Sequence, residues 1–94
     1  MDIIVKSVAQ IADAARLTRK AQGIDQFAAA SLSGNSVTFI SQFENGKTSV
    51  EIGRVLELLD QLGIELVLKL PIDKSELKPA QQKLLHDALY GGAS

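Results

Sequence analysis

The 94-residue sequence predicts a mainly α fold, a small helical bundle followed by one C-terminal β-strand, and three observations lead there. Apolar residues recur three and four apart up to Leu62, the spacing that lines them along one helix face. Two segments too short to be stable helices by themselves flank a polar turn at Gly34, so both must dock on neighbours. Residues 64–70 then switch to alternation with period two, which a strand converts into two distinct faces.

The elements follow in order. Ile3, Ile4 and Val5 are β-branched and predict a short strand or an ordered lead-in. Ser7 is placed to cap a helix reaching about residue 22, with Val8, Ile11, Ala12 and Ala15 on its apolar face and Gly23 as its stop. Asp25 is placed to cap a second helix over 26–32, and Ser36 a third over 37–45 that carries Phe39, Ile40 and Phe43 toward the core. Thr48 or Ser49 begins a fourth helix, since Thr48-x-x-Glu51 has capping-box spacing. Its stripe is Ile52, Val55, Leu56, Leu59 and Leu62, and Gly63 closes it. The strand has Ile64, Leu66, Leu68 and Leu70 on one face and Glu65, Val67 and Lys69 on the other, ending at Pro71. Residues 72–78 read as polar and irregular. Pro79 suits the first turn of a short helix bearing Leu84, Leu85, Ala88 and Leu89, and residues 91–94 read as a frayed end. Residues 1–71 thus form one domain and 72–94 a tail.

A lone strand leaves its backbone N–H and C=O groups without partners. The simplest remedy is pairing with the same strand of a second copy, which makes Ile64, Leu66, Val67, Leu68 and Leu70 the expected dimerisation residues. Pairing within the chain to residues 3–5 is the alternative.

Composition narrows the function. Apolar residues make up 46 % of the chain, the mark of a folded domain. There is no apolar run of about 18 residues and no basic-then-apolar leader, so a cytoplasmic protein without a membrane partner is expected. No cysteine is present, which removes disulfides, thiolate catalysis and Cys-based zinc sites. His86 has no second His or Cys near it, and Asp73, Glu76 and Asp87 lack the grouping that acid–base work needs. No glycine-rich phosphate loop appears either. An enzyme, a metal site and a cofactor are therefore not expected. The net charge of −1 is unevenly spread. Residues 1–24 hold Lys6, Arg16, Arg19 and Lys20 against Asp2 and Asp13, whereas residues 51–70 are acidic.

A short helix, a tight turn at Gly34 and a second short helix that opens on small polar side chains and closes on Glu44-Asn45-Gly46 have the layout of a helix-turn-helix reader of DNA. Phosphate contacts supply most non-specific affinity, so the low charge predicts modest affinity per copy and a need for dimerisation or a co-binding partner. Two copies related by a two-fold axis would suit a palindromic operator whose half-sites lie roughly 34 Å apart.

Gln26, Gly34, Ser36, Ile40, Ser41 and Glu44-Asn45-Gly46-Lys47 resemble the Xre/lambda-repressor-type helix-turn-helix family over roughly residues 8–63. The continuation through Val55, Leu56, Leu59, Leu62, Gly63 and Ile64 into an alternating strand resembles its HipB-like antitoxin branch. The resemblance implies a lambda-repressor-like bundle in which Gln26 grips a phosphate and braces the recognition helix. It implies a groove-facing surface of Ser36, Val37, Thr38, Ser41 and Gln42, with Asn45 and Lys47 near the DNA backbone. It also implies a buried structural pair, Arg19 with Glu44. The chain departs from the pattern at Val37, where a long polar reader is common, and at Asp25, close to the expected phosphate path. Ala29 and Ser33 stand where larger apolar residues usually pack, and Phe27 and Leu32 stand at commonly polar sites. Phe39 is expected to fill the space above Ala29.

Plainer readings stand beside these: Ser36 as only a cap, Ser41 and Gln42 as solvated side chains, Arg16, Arg19 and Lys20 as a solvated helix face. The resemblance implies a dimeric antitoxin and autorepressor that binds double-stranded operator DNA and neutralises a HipA-like kinase toxin. A stand-alone Xre-family repressor and a protein-interaction module without DNA binding are the alternatives.

Overall fold

The computed structural model describes residues 1–91, in the order α1 (Val8–Ala21), α2 (Gln26–Ser33), α3 (Val37–Glu44), α4 (Ile52–Leu62), one 3-10 turn (Lys74–Glu76) and α5 (Pro79–Tyr90). The frayed-end expectation for residues 92–94 lies outside the described residues.

Local chemistry starts the first three helices. Ser7 Oγ accepts from the Gln10 amide at 3.3 Å, and the Gln10 side chain accepts from the Ser7 amide at 3.1 Å, a reciprocal capping box. Asp25 accepts from Ala28 N at 2.7 Å and Ser36 from Phe39 N at 3.0 Å, so both satisfy donors that a helix start leaves free. Gly34 ends α2 with φ of 69°, a left-handed conformation that L side chains resist, and this reversal sends the chain into α3 within three residues.

α4 differs from the sequence expectation at its start and along its stripe. Its N-cap is Glu51, with no side-chain cap bond, rather than Thr48 or Ser49. The buried stripe is Val55, Leu58, Leu59 and Leu62, while Ile52 and Leu56 are exposed. The buried set has the i, i+3, i+4, i+7 spacing of a helix seam. Leu56 lies about 100° round the helix from Val55 and so turns away from it. Ile52 belongs to the first turn, beyond the reach of the core.

The core joins Ala12 and Ala15 of α1, Ala29 and Ala30 of α2, Ile40 and Phe43 of α3 and the α4 stripe. The main helix pairs are α2 with α3 and α4, and α1 with α3 and α4. Alanines on α1 and α2 let the helices approach closely around Phe43, Ile40 and Leu58, the largest fully buried side chains. Burying each of these contributes about 1.5–3 kcal/mol. Phe39 packs against the core and stacks on Phe43, with ring centroids 6.0 Å apart. Gln22 Nε2 donates to the Leu62 carbonyl at 2.8 Å, pinning the end of α1 to the end of α4.

No strand forms among the described residues, neither at residues 3–5 nor at 64–70, so the two do not pair within the chain. Ile64 packs against the core, and Leu66, Val67, Leu68 and Leu70 are exposed, Leu68 by 79 %. Beyond the Ile64 amide, which bonds to the Leu59 carbonyl, residues 65–70 make no backbone hydrogen bond among the described residues. Within residues 72–78, Asp73 accepts from Ser75 and nucleates the 3-10 turn, an ordered feature in a segment read as irregular. Pro79 occupies the start of α5, which has no buried residue. Among the described residues, no helix is long and apolar enough to cross a membrane.

Candidate nucleic-acid interface

α2, the Gly34 turn and α3 present a polar edge whose orientation is fixed from beneath by one ionic cluster. Arg19 Nε and Nη2 donate to the two Glu44 oxygens, both at 2.7 Å, and Nη1 donates to the Ile24 carbonyl at 2.8 Å. The two side chains retain 8 % and 2 % of their exposure, so α1, the α1–α2 turn and the last turn of α3 share a buried, doubly bonded ion pair. Gln26 Nε2 also donates to Glu44 at 3.2 Å, which links the first turn of α2 to the same carboxylate. Burial pushes the Glu44 carboxyl up. Hydrogen bonds from Arg19 and Gln26, with the charges of Arg19 and Arg16, outweigh it and hold the carboxyl below its ordinary value. The Glu44 hydrogen bond in turn raises Arg19 against the cost of its own burial.

On the outer side of α3, Val37, Thr38 and Gln42 are exposed and Ser41 is half-buried. Ser36 is exposed with its oxygen engaged as the cap, leaving its O–H free to donate outward. Asn45 Nδ2 lies 3.4 Å from Ser41 Oγ, and Lys47 Nζ 3.3 Å from Gln42 Oε1. Eight residues singled out from the sequence (Gln26, Ser36, Val37, Thr38, Ser41, Gln42, Asn45 and Lys47) therefore fall on α2's start, α3 and the turn after it. Gln26 has one amide N–H committed inward and the other available. Asp25 is turned into its cap on Ala28. Phe27 stands 73 % exposed beside it.

Sequence reasoning missed a second polar cluster behind the turn. Ser33 Oγ is buried and donates to the Ala29 carbonyl at 2.7 Å. Asn35 Nδ2 donates to Ser33 Oγ at 3.0 Å and to the Arg54 carbonyl at 3.2 Å, and Arg54 Nη1 lies 3.4 Å from Asn35 Oδ1. This accounts for Ser33, whose small polar side chain had no explanation in the helical pattern. Asn35 follows Gly34 in the turn, and its partner Arg54 lies 19 positions away. Among the described residues, no group of His, Asp or Glu is arranged to hold a metal.

Two short helices across a tight glycine turn, the second exposed and braced on a four-helix bundle, define a helix-turn-helix domain. The Helix-turn-helix family model matches residues 16–69, and the chain belongs to that family, in its Xre-like, HipB-like form. An uncharacterized HTH-type transcriptional regulator, y4mF, from Sinorhizobium fredii (strain NBRC 101917 / NGR234) is 34 % identical over 67 residues, covering 71 % of this chain and 88 % of the relative. Among solved structures, one described as a HipB-O1-O2 complex superposes with a TM-score of 0.68 at 26 % identity, over 72 % of this chain and 99 % of the other. A second, described as an MDT protein, gives 0.69 at 25 % identity, over 76 % and 100 %. A HipB variant described as an O2 20mer complex gives 0.69 at 25 %, over 77 % and 100 %. The family is one of DNA-binding transcription regulators rather than of enzymes.

Proposed function

We propose that this protein is a cytoplasmic, DNA-binding autorepressor and antitoxin of HipB type, acting as a homodimer on a palindromic operator and neutralising a HipA-like kinase toxin. The observation that carries the DNA reading is the polar outer side of α3, held by the Arg19–Glu44–Gln26 cluster beneath it. Thr38, Ser41 and Gln42 can hydrogen-bond base edges in the major groove, and Val37 offers methyl groups to a thymine methyl. Gln26, Ser36, Asn45 and Lys47 bond phosphates on either side of the groove, with the amide-rich starts of α2 and α3. The HipB complexes among the structural neighbours support DNA binding.

Dimerisation in this reading uses Ile64, Leu66, Val67, Leu68 and Leu70. Residues 65–70 have unspent backbone donors and acceptors. Exposed Leu56, with Leu59, Ile64, Leu66 and Val67, lines a recess that a second copy would cover. Residues 1–71 then make up the reading and pairing domain, and 72–94 a tail whose Leu84, Leu85 and Leu89 dock on a partner or on the sister subunit.

Selection from random duplexes tests the DNA reading. A palindromic sequence should be enriched, its affinity should fall steeply as salt rises, and Val37→Ala should erase the preference at one base pair. Failure to enrich any sequence, with or without partners, would leave only a protein-interaction module. Co-expression with the adjacent reading frame tests the antitoxin role, which requires a stable complex and rescue of growth. A neighbour that is not kinase-like and forms no complex would favour a stand-alone repressor, a reading that the transcriptional-regulator relative supports equally well.

A further inference from the structure

We propose that Asn35 is a positioning residue for operator reading: its carboxamide ties the turn before α3 to the first turn of α4 and so sets the angle at which α3 meets DNA. The proposal rests on the DNA-reading role of α3 and adds to it a residue that need not touch DNA.

Three features carry it. The first is place. Asn35 immediately precedes Ser36, the cap from which α3 starts, and its own amide is anchored on the Ala30 carbonyl of α2 at 2.9 Å. The second is reach. α3 packs mainly on α1 and α2, whereas the Asn35 side chain bonds across to Arg54 in α4, so a tie to α4 enters α3 at its first turn. The third is chemistry. A carboxamide supplies two N–H groups and one oxygen. Here the nitrogen serves Ser33 Oγ and the Arg54 carbonyl, and the oxygen faces the Arg54 guanidinium. Arg54 is itself steadied by Glu51 at 3.1 Å, and Ser33 by the Ala29 carbonyl. Alanine provides none of these bonds. Aspartate keeps the shape and the Arg54 guanidinium contact but has no hydrogen to donate.

Two measurements test this, one of them without DNA. In the free protein, amide hydrogen exchange of Asn35→Ala and Asn35→Asp should rise at least tenfold at Phe39 and Ile40, the amides bonded to Ser36, while Ala15 and Leu58 change less than twofold. Unchanged exchange at α3, or an equal rise in every helix, overturns the positioning role. On DNA, both variants should lose at least tenfold in the ratio of selected-duplex to random-duplex affinity, with random-duplex affinity within twofold of the parent. Equal loss on both duplexes means a merely structural role and overturns the proposal. A parent protein that prefers no duplex removes operator reading itself, and the exchange result then reports separately whether the tie exists.

Discussion

At the scale of single residues, the Arg19–Glu44 pair is the most exacting feature. Two charges leave water, and three bonds from the guanidinium with one from Gln26 compensate them. Removing one partner strands the other, so Arg19→Met should cost about 3–5 kcal/mol, measured by urea unfolding. That is a large share of the 5–15 kcal/mol typical of a domain. The pair also sets an acid limit. Glu44 sits below the ordinary value of 4.5, so the folded state holds its carboxylate more firmly than the unfolded chain does. Its stabilising contribution is therefore complete above that ordinary value and is lost as pH falls through the lower folded value. Glu44→Gln should be markedly less stable than the parent at pH 7, and the gap should narrow as the solution is acidified toward pH 3. A gap independent of pH would mean that the carboxylate charge does not stabilise the fold.

At the scale of elements, what the sequence discloses depends on how local the cause is. Ser7, Asp25 and Ser36 act on amides within three residues, so the starts of α1, α2 and α3 are readable directly. The start of α4 is not: the Thr48-x-x-Glu51 spacing is present, yet the helix begins after Glu51. Its stripe is offset too, because Leu56 and Leu58 are equally apolar and only the position of the other helices decides which is buried. Asn35 is opaque for the same reason, since its partner Arg54 comes from another helix, and Ser33 is opaque with it because Asn35 donates to its hydroxyl. Residues 64–70 are the limiting case. Alternation defines two faces but names no partner, and the described residues of one copy supply none. Successive N–H groups of a strand point to opposite edges, so Val67→Pro combined with Leu68→Pro deletes a donor whichever edge is used. The double variant should sediment as a single copy where the parent sediments as a pair, with the helical circular-dichroism signal of α1–α4 retained. Pairs that persist in the double variant would place the contact elsewhere, α5 being the first candidate because its Leu84, Leu89 and Tyr90 are exposed.

At the scale of the whole molecule, a net charge of −1 gives little general attraction to DNA, so in the proposed function affinity comes from engaging two half-sites at once. Principal extents of 47 × 26 × 24 Å allow two copies to sit side by side with their α3 helices about one duplex turn, roughly 34 Å, apart. A pair joined by backbone hydrogen bonds along residues 64–70 has little freedom to change that separation. Inserting five base pairs between the half-sites turns the second one to the far side of the duplex, and affinity should drop at least a hundredfold, to that of one half-site. Inserting ten base pairs restores the facing but adds a full turn of distance, which a rigid pair does not span, so affinity should stay low. Readers linked only through flexible segments would behave differently, regaining most of their affinity at ten. Titrating the parent protein against the three duplexes at fixed salt separates the two cases. Recovery at ten base pairs would exclude the strand-zipped dimer even if each copy reads DNA through α3.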